Sequence, residues 1–190
     1  ELLASYAAGF SLAVVVTFIH STISFMLFPE LSRKWTNKNK TSNINLMKKV
    51  VTAYFALTIP YLVFIAVAGV DVLSILTTKD YIIAPEVLFL LTCNIAIFGL
   101  YQIVYYIVLL ERGSLNAPIV MVIVTGINIL FNTLLVPKYG MMGAASAGFL
   151  SNAFLAIITY NMSQKILKWE FPLTECIRIL LRSLVMGLVI

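Results

Sequence analysis

Charge is what this sequence has least of. Only 11% of its 190 residues are charged, 61% are hydrophobic, and the mean hydropathy is +1.00. An ordinary soluble domain carries about 25% charged residues. A chain this size cannot cover so much apolar surface with so few charges, so a water-soluble globular fold is excluded and an integral membrane protein remains. Histidine and cysteine are nearly as scarce. One histidine, His20, and two cysteines, Cys93 and Cys176, offer no metal-ligand spacing. Cys93 lies within one apolar segment and Cys176 beyond two more, so they form no disulfide framework and read as lone buried thiols. No pair of membrane-embedded carboxylates and no Ser/His/Asp arrangement can be assembled. Hydrolysis within the membrane has no support, and nothing in the sequence asks for a cofactor. An initiator methionine is also missing, and both ends fall inside apolar runs. The expectation is a piece of a longer membrane protein.

What is present is a series of long apolar runs. A spanning helix needs roughly 20 mostly apolar residues, and five segments qualify: Leu2–Phe28, Val50–Val70, Val87–Leu110, Ala117–Val136 and Met141–Met162. A sixth begins near Cys176. The runs are continuous and do not alternate with period 2, which favours helices over barrel strands. The expected fold is all-α: five complete transmembrane helices plus the start of a sixth, forming a single membrane domain over residues 1–190.

The connections alternate in charge. Arg33, Lys34, Lys38, Lys40, Lys48 and Lys49 follow the first helix, Arg112 follows the third, and Lys165, Lys168, Arg178 and Arg182 follow the fifth. The intervening connections carry only Lys79 and Lys138, so 11 of the 13 basic residues fall on one side. The positive-inside rule makes 33–49 a basic cytoplasmic loop and 167–176 a cytoplasmic connector, with residue 1 outside. This distribution explains the net charge of +5 as a topology signal with affinity for anionic membrane lipids, and not as a nucleic-acid footprint. Between Lys34 and Asn45 the chain is polar and rich in Asn and Lys, which reads as a solvated connector.

Polar side chains within the apolar runs are functional candidates, because in hydrocarbon each needs a partner or a wet cavity. The first helix sets Thr17, His20, Ser21 and Ser24 in a stripe. The third aligns Asn94, Tyr101 and Tyr105, with Gln102 beside them. The fourth holds Asn128 and Asn132, about 40° apart around the axis. These stripes face one another or a shared lumen; structural hydrogen bonding and cavity lining are both open for the asparagines. His20 is either a proton-coupling group or a packed histidine. Pro60 breaks the second helix as a hinge or a static kink, with Thr58 placed to satisfy a freed backbone group. Gly143 with Ala147 and Ala144 with Gly148 make a small-residue face, which lets helices four and five close into a tight antiparallel hairpin. Arg178 and Arg182 sit one turn apart, as a snorkelling collar or as phosphate contacts.

Several stretches resemble a known family. Pro29-Glu30-Leu31-Ser32 closes the first long helix, Tyr6-Ala7-Ala8 lies near its start, and Pro60 falls in the next helix. More specific is Asn128-xxx-Asn132, then Val136-Pro137-xx-Gly140-xx-Gly143-Ala144-Ala145. Together, from about residue 3 to 166, these are similar to polysaccharide-export flippases of the multidrug/oligosaccharidyl-lipid/polysaccharide exporter superfamily. The resemblance implies the C-terminal lobe of a MATE-like, two-lobed helical bundle. It implies an O-antigen-type flippase that moves a lipid-linked oligosaccharide to the outer leaflet by alternating access. Its partners would be the missing N-terminal lobe and glycan polymerases or ligases. Several members have a cationic cavity, yet no Lys or Arg lies deep in any complete helix here. That charge would come from the missing lobe or from Arg178 and Arg182. The alternatives are a cation-coupled drug or metabolite antiporter of the same superfamily, a membrane-embedded glycan-assembly enzyme, and a structural scaffold.

Overall fold

The computed structural model describes residues 2–36, 40–77, 83–111 and 116–187, all helix apart from short joints. Six helices follow in order: α1 (Leu2–Ala13), α2 (Val15–Thr36), α3 (Lys40–Leu76), α4 (Pro85–Leu110), α5 (Asn116–Ile166) and α6 (Leu173–Gly187). Lys38, Asn39, Lys79, Asp80 and Arg112 lie outside the described residues. Among the described residues, four stretches are long and apolar enough to cross a membrane: Ala4–Thr36, Lys40–Leu76, Pro85–Leu110 and Pro118–Ile166. The chain is a multi-pass, all-helical membrane protein.

The expected first helix is two helices. The break at Val14 has a cause in α3, where the Tyr61 hydroxyl donates to the Leu12 carbonyl at 2.7 Å. A straight helix gives that carbonyl to the Val16 N–H, so a side chain has entered the backbone ladder, a recognised source of kinks. The expected loop over 33–49 is corrected more substantially. Helix α2 runs on to Thr36, and α3 already begins at Lys40. Asn43, Met47, Val51, Tyr54 and Thr58 are all buried on one side of α3, and their near-fourfold spacing is helical, not loop-like. The polar composition of this stretch marks the outward face of an amphipathic extension. The 37 residues of α3 span about 55 Å at 1.5 Å each, well beyond a hydrocarbon core of about 30 Å. The 167–176 connector shortens to 167–172, because α6 starts at Leu173. It is tightly held: Trp169 Nε1 donates to Ser163 Oγ at 3.2 Å, Gln164 donates to the Trp169 carbonyl, and the Trp169 ring meets Tyr160 edge-on at 5.4 Å.

Helix α3 runs through Pro60 without interruption. Thr58 does not satisfy a freed group, since its Oγ1 is buried without a hydrogen-bond partner. Helix α5 reverses direction at Gly140, whose φ of 55° and ψ of −128° match the first central residue of a type II′ turn, where glycine is favoured. Asn128 and Ala147 lie 19 residues apart, a distance of about 28 Å along a straight helix; here Asn128 Nδ2 reaches the Ala147 carbonyl at 3.5 Å. Residues 116–139 and 141–166 are therefore the two arms of an antiparallel hairpin, as the small-residue face predicts.

Helix α4 is the centre of the arrangement, touching α1, α2, α3 and α5. Two apolar cores lie along it. One gathers Ala13, Val16, Ile65, Leu73, Leu88 and Leu91; the other gathers Leu31, Met47, Val51, Tyr54, Ile103 and Ile107, capped by Trp169. Large apolar side chains such as Phe25 and Val122 remain 84% and 73% exposed, which suits surfaces facing lipid or other helices and not water.

Candidate functional site

The polar candidates separate into three groups. The first lies between α4 and the α5 hairpin. Asn152 Nδ2 donates to Asn94 Oδ1 at 2.7 Å. Gly148 permits this, because a Cβ there would sit 2.7 Å from Asn94 Nδ2. Asn132 Nδ2 donates to the Asn128 carbonyl at 2.9 Å and to Asn128 Oδ1 at 3.0 Å. Tyr101 is buried and its ring lies 5.6 Å from Tyr105. Asn128, Ser151 and Asn152 line a recess of about 270 Å³ with Phe98, Val124 and Leu155. The asparagines thus tie the hairpin together and border a small cavity at the same time.

The second group is the seam where α2, α3 and α4 meet. His20 and Ser24 are buried one turn apart on α2. Opposite them, Tyr54 on α3 donates its hydroxyl to the Ala96 carbonyl of α4 at 2.6 Å. Gly99 makes the close approach: a Cβ would lie 2.6 Å from Tyr54 Oη and 3.0 Å from His20 Nδ1. His20 Nδ1 and Ser24 Oγ have no hydrogen-bond partner, as with Thr58 Oγ1 one turn along α3 from Tyr54. Gln102 belongs to this seam and not with Asn94. It lines a recess of about 580 Å³ between α2 and α4 with Ser21, Ser24 and Tyr106.

The third group is charged. Glu30 accepts from Arg33 at 2.7 Å and pairs with Lys34 at 3.1 Å. Nearby, Trp35, Lys40, Asn43, Glu111 and Lys165 line a recess of about 390 Å³. Arg178 donates to Glu175 at 2.8 Å on the exposed face of α6, and Arg182 is exposed one turn further on. These arginines do not join either buried group. Surface ion pairs of this kind contribute about 0–1 kcal/mol, so their charge remains largely available to another partner.

Sequence reasoning missed Tyr54, Gly99, Tyr61 and Asn152, and gave Thr58 a different role. The i, i+4 spacing of Tyr54 and Thr58, and of Gly148 and Asn152, was a usable signal. Tyr61 and Gly99 had none, because their importance comes from what another helix brings to them. Among the described residues, no group of three or more His, Cys, Asp or Glu side chains is placed to hold a metal ion.

Long helices with exposed apolar flanks and inward polar seams define a polytopic membrane protein, a class that could host several activities. Sequence comparison narrows it: the chain belongs to the lipid II flippase MurJ family, whose profile matches residues 4–190. It is also similar to the "Probable low-salt glycan biosynthesis flippase Agl15" of Haloferax volcanii, at 23% identity over 188 residues. That match covers 96% of this chain and 39% of the relative, so the chain spans about two fifths of that protein's length. No solved structure matches.

Proposed function

We propose that this chain is part of a flippase that carries a lipid-linked glycan precursor across the cytoplasmic membrane by alternating access. The family match over nearly the whole chain carries the reading, and the Agl15 likeness is in the same direction. Burial of polar groups along the helix seams, with no ionisable cluster at their centre, suits transport and not bond-breaking chemistry. In this reading the two α5 arms are separate spans and α6 begins a sixth. The six helices form one lobe of a MATE-like bundle whose partner lobe lies elsewhere in the protein. Residue 1 lies outside the described residues; the N-terminal end of α1 faces outward, and the basic ends of α2, α3 and α5 face the cytoplasm, where Lys and Arg accumulate. Arg178 and Arg182 are the exposed arginines suited to a diphosphate, since guanidinium groups bind phosphate oxygens bidentately. Pro60 is the hinge candidate within α3.

The test is reconstitution of the full-length protein in vesicles that hold a labelled lipid-linked oligosaccharide in the inner leaflet. Appearance of label on the outer surface, dependent on the protein, supports the function. Label confined to the inner leaflet at every protein density refutes it. Single-cysteine labelling at Arg33 and at Tyr139 from each side tests the orientation independently.

A further inference from the structure

We propose that His20 is a proton-binding site within the membrane-spanning bundle, and that protonation there drives the transport cycle. The coupling part rests on the flippase function proposed above; the proton site itself does not. His20 is the sole histidine of this chain and is 3% exposed. Its Nδ1 is buried without a hydrogen-bond partner, at a depth where an unmatched polar atom is costly. A neutral imidazole carries one donor and one acceptor nitrogen, whereas the protonated ring donates from both. Beside the ring lie the Val16 carbonyl one turn back and the Gln102 side chain of α4.

The groups facing the ring are few. Helix α3 presents Tyr54, whose proton is already directed to Ala96. Helix α4 presents Gly99 and Gln102, and α2 itself adds Ser24. Residues 2–28 of α1 and α2, 50–70 of α3 and 87–110 of α4 contain no Asp, Glu, Lys or Arg. Among the groups facing this seam, His20 is therefore the one whose ring can take up a proton.

Ser24, one turn from His20 and also without a partner, borders the recess of about 580 Å³ that Gln102 shares. A proton from water in that recess adds to the Nδ1 lone pair and leaves by the same bond breaking; no electrons are transferred. The charged ring has no counter-charge in the closed seam. Protonation thus favours a conformer in which the α2–α4 seam is wet or meets an anion, which is the differential binding a population shift requires. Gly99 keeps the site open, because any side chain there would strike both Tyr54 Oη and His20 Nδ1.

The experiment uses the full-length protein in vesicles under a one-unit pH difference of either sign, together with nitrogen NMR of labelled histidine. With one proton moved per substrate, one sign of gradient sustains up to about a tenfold transbilayer ratio of labelled substrate. That dependence disappears in His20→Gln. The His20 ring, assigned by its loss in that variant, gains a proton as the pH is lowered while the protein stays folded, and Gly99→Ala displaces its midpoint even if His20→Gln folds poorly. A ring that keeps one protonation state throughout overturns the site. Flipping indifferent to the gradient overturns the coupling. A titrating ring in a protein that flips nothing leaves the proton site standing and refutes the flippase reading instead.

Discussion

Replacing Gly143 with alanine tests the hairpin most directly. The added Cβ would strike the Leu135 carbonyl and lie 2.6 Å from its carbon and 3.0 Å from the Val136 nitrogen. These are backbone atoms of the opposite arm, so no rotamer change relieves them. Restoring ordinary contact separates the arms by roughly 1 Å, and overpacking of this kind costs about 1–3 kcal/mol. The separation also lengthens the Asn128–Ala147 contact, already at 3.5 Å, with loss of about 0.6 kcal/mol for an average interhelical bond. Against this, alanine gains about 1 kcal/mol in helix propensity. The net expectation is a loss of about 0.6–2.6 kcal/mol. Gly126→Ala, on the same hairpin, meets nothing within 4 Å and should gain about 0.5–1 kcal/mol. The assay is equilibrium unfolding in mixed micelles, followed by tryptophan fluorescence. If the two substitutions shift stability with the same sign, or if Gly143→Ala is neutral, the close approach of the arms is wrong.

Other consequences are accessible with the same protein. Asn94→Leu and Asn152→Leu should be non-additive by about 0.6 kcal/mol, with a ceiling near about 1.7 kcal/mol; additive losses in a double-mutant cycle would remove the link between α4 and α5. Tyr61→Phe frees the Leu12 carbonyl, so spin labels at Ala7 and Ser21 should move apart as the helix straightens; an unchanged separation would dissociate Tyr61 from the kink. Asn128→Leu combined with Asn132→Leu removes both partners at once, which costs about 1 kcal/mol or less. Transport is expected to fall while protein level holds, and a collapse in protein level would assign the pair to the fold alone.

Most of the architecture was legible because hydrocarbon imposes a simple grammar: long apolar runs become helices, and small residues bracketing a glycine allow two helices to meet. The hairpin from Asn128 to Gly148 followed from that grammar. The stretch from Arg33 to Lys49 did not, since its lysines and asparagines suggest solvent while Asn43 and Met47 are buried. Composition averages over both faces of a helix, and only the spacing separates them. The site was half legible for a related reason. Periodicity put His20 beside Ser24 and Asn128 beside Asn132, because each pair shares one helix. It placed Gln102 with Asn94, although the two point toward different neighbours. Across helices there is no periodicity to read. That Tyr54 would reach Ala96, or Tyr61 reach Leu12, is decided by packing angles that no single helix encodes.

Helix α4 has two unlike sides. Toward α5 it is fastened by the Asn94–Asn152 bond at 2.7 Å. Toward α2 and α3 it presents Gly99, faces the unpartnered His20 Nδ1 of α2, and accepts one hydrogen bond, from Tyr54 to the Ala96 carbonyl. In mechanical terms, α4 is a shaft keyed to the hairpin and running in a plain bearing formed by α2 and α3. Breaking that contact sacrifices few directional bonds. Any rearrangement within these helices should therefore slip along that bearing, with α4 and α5 moving as one piece.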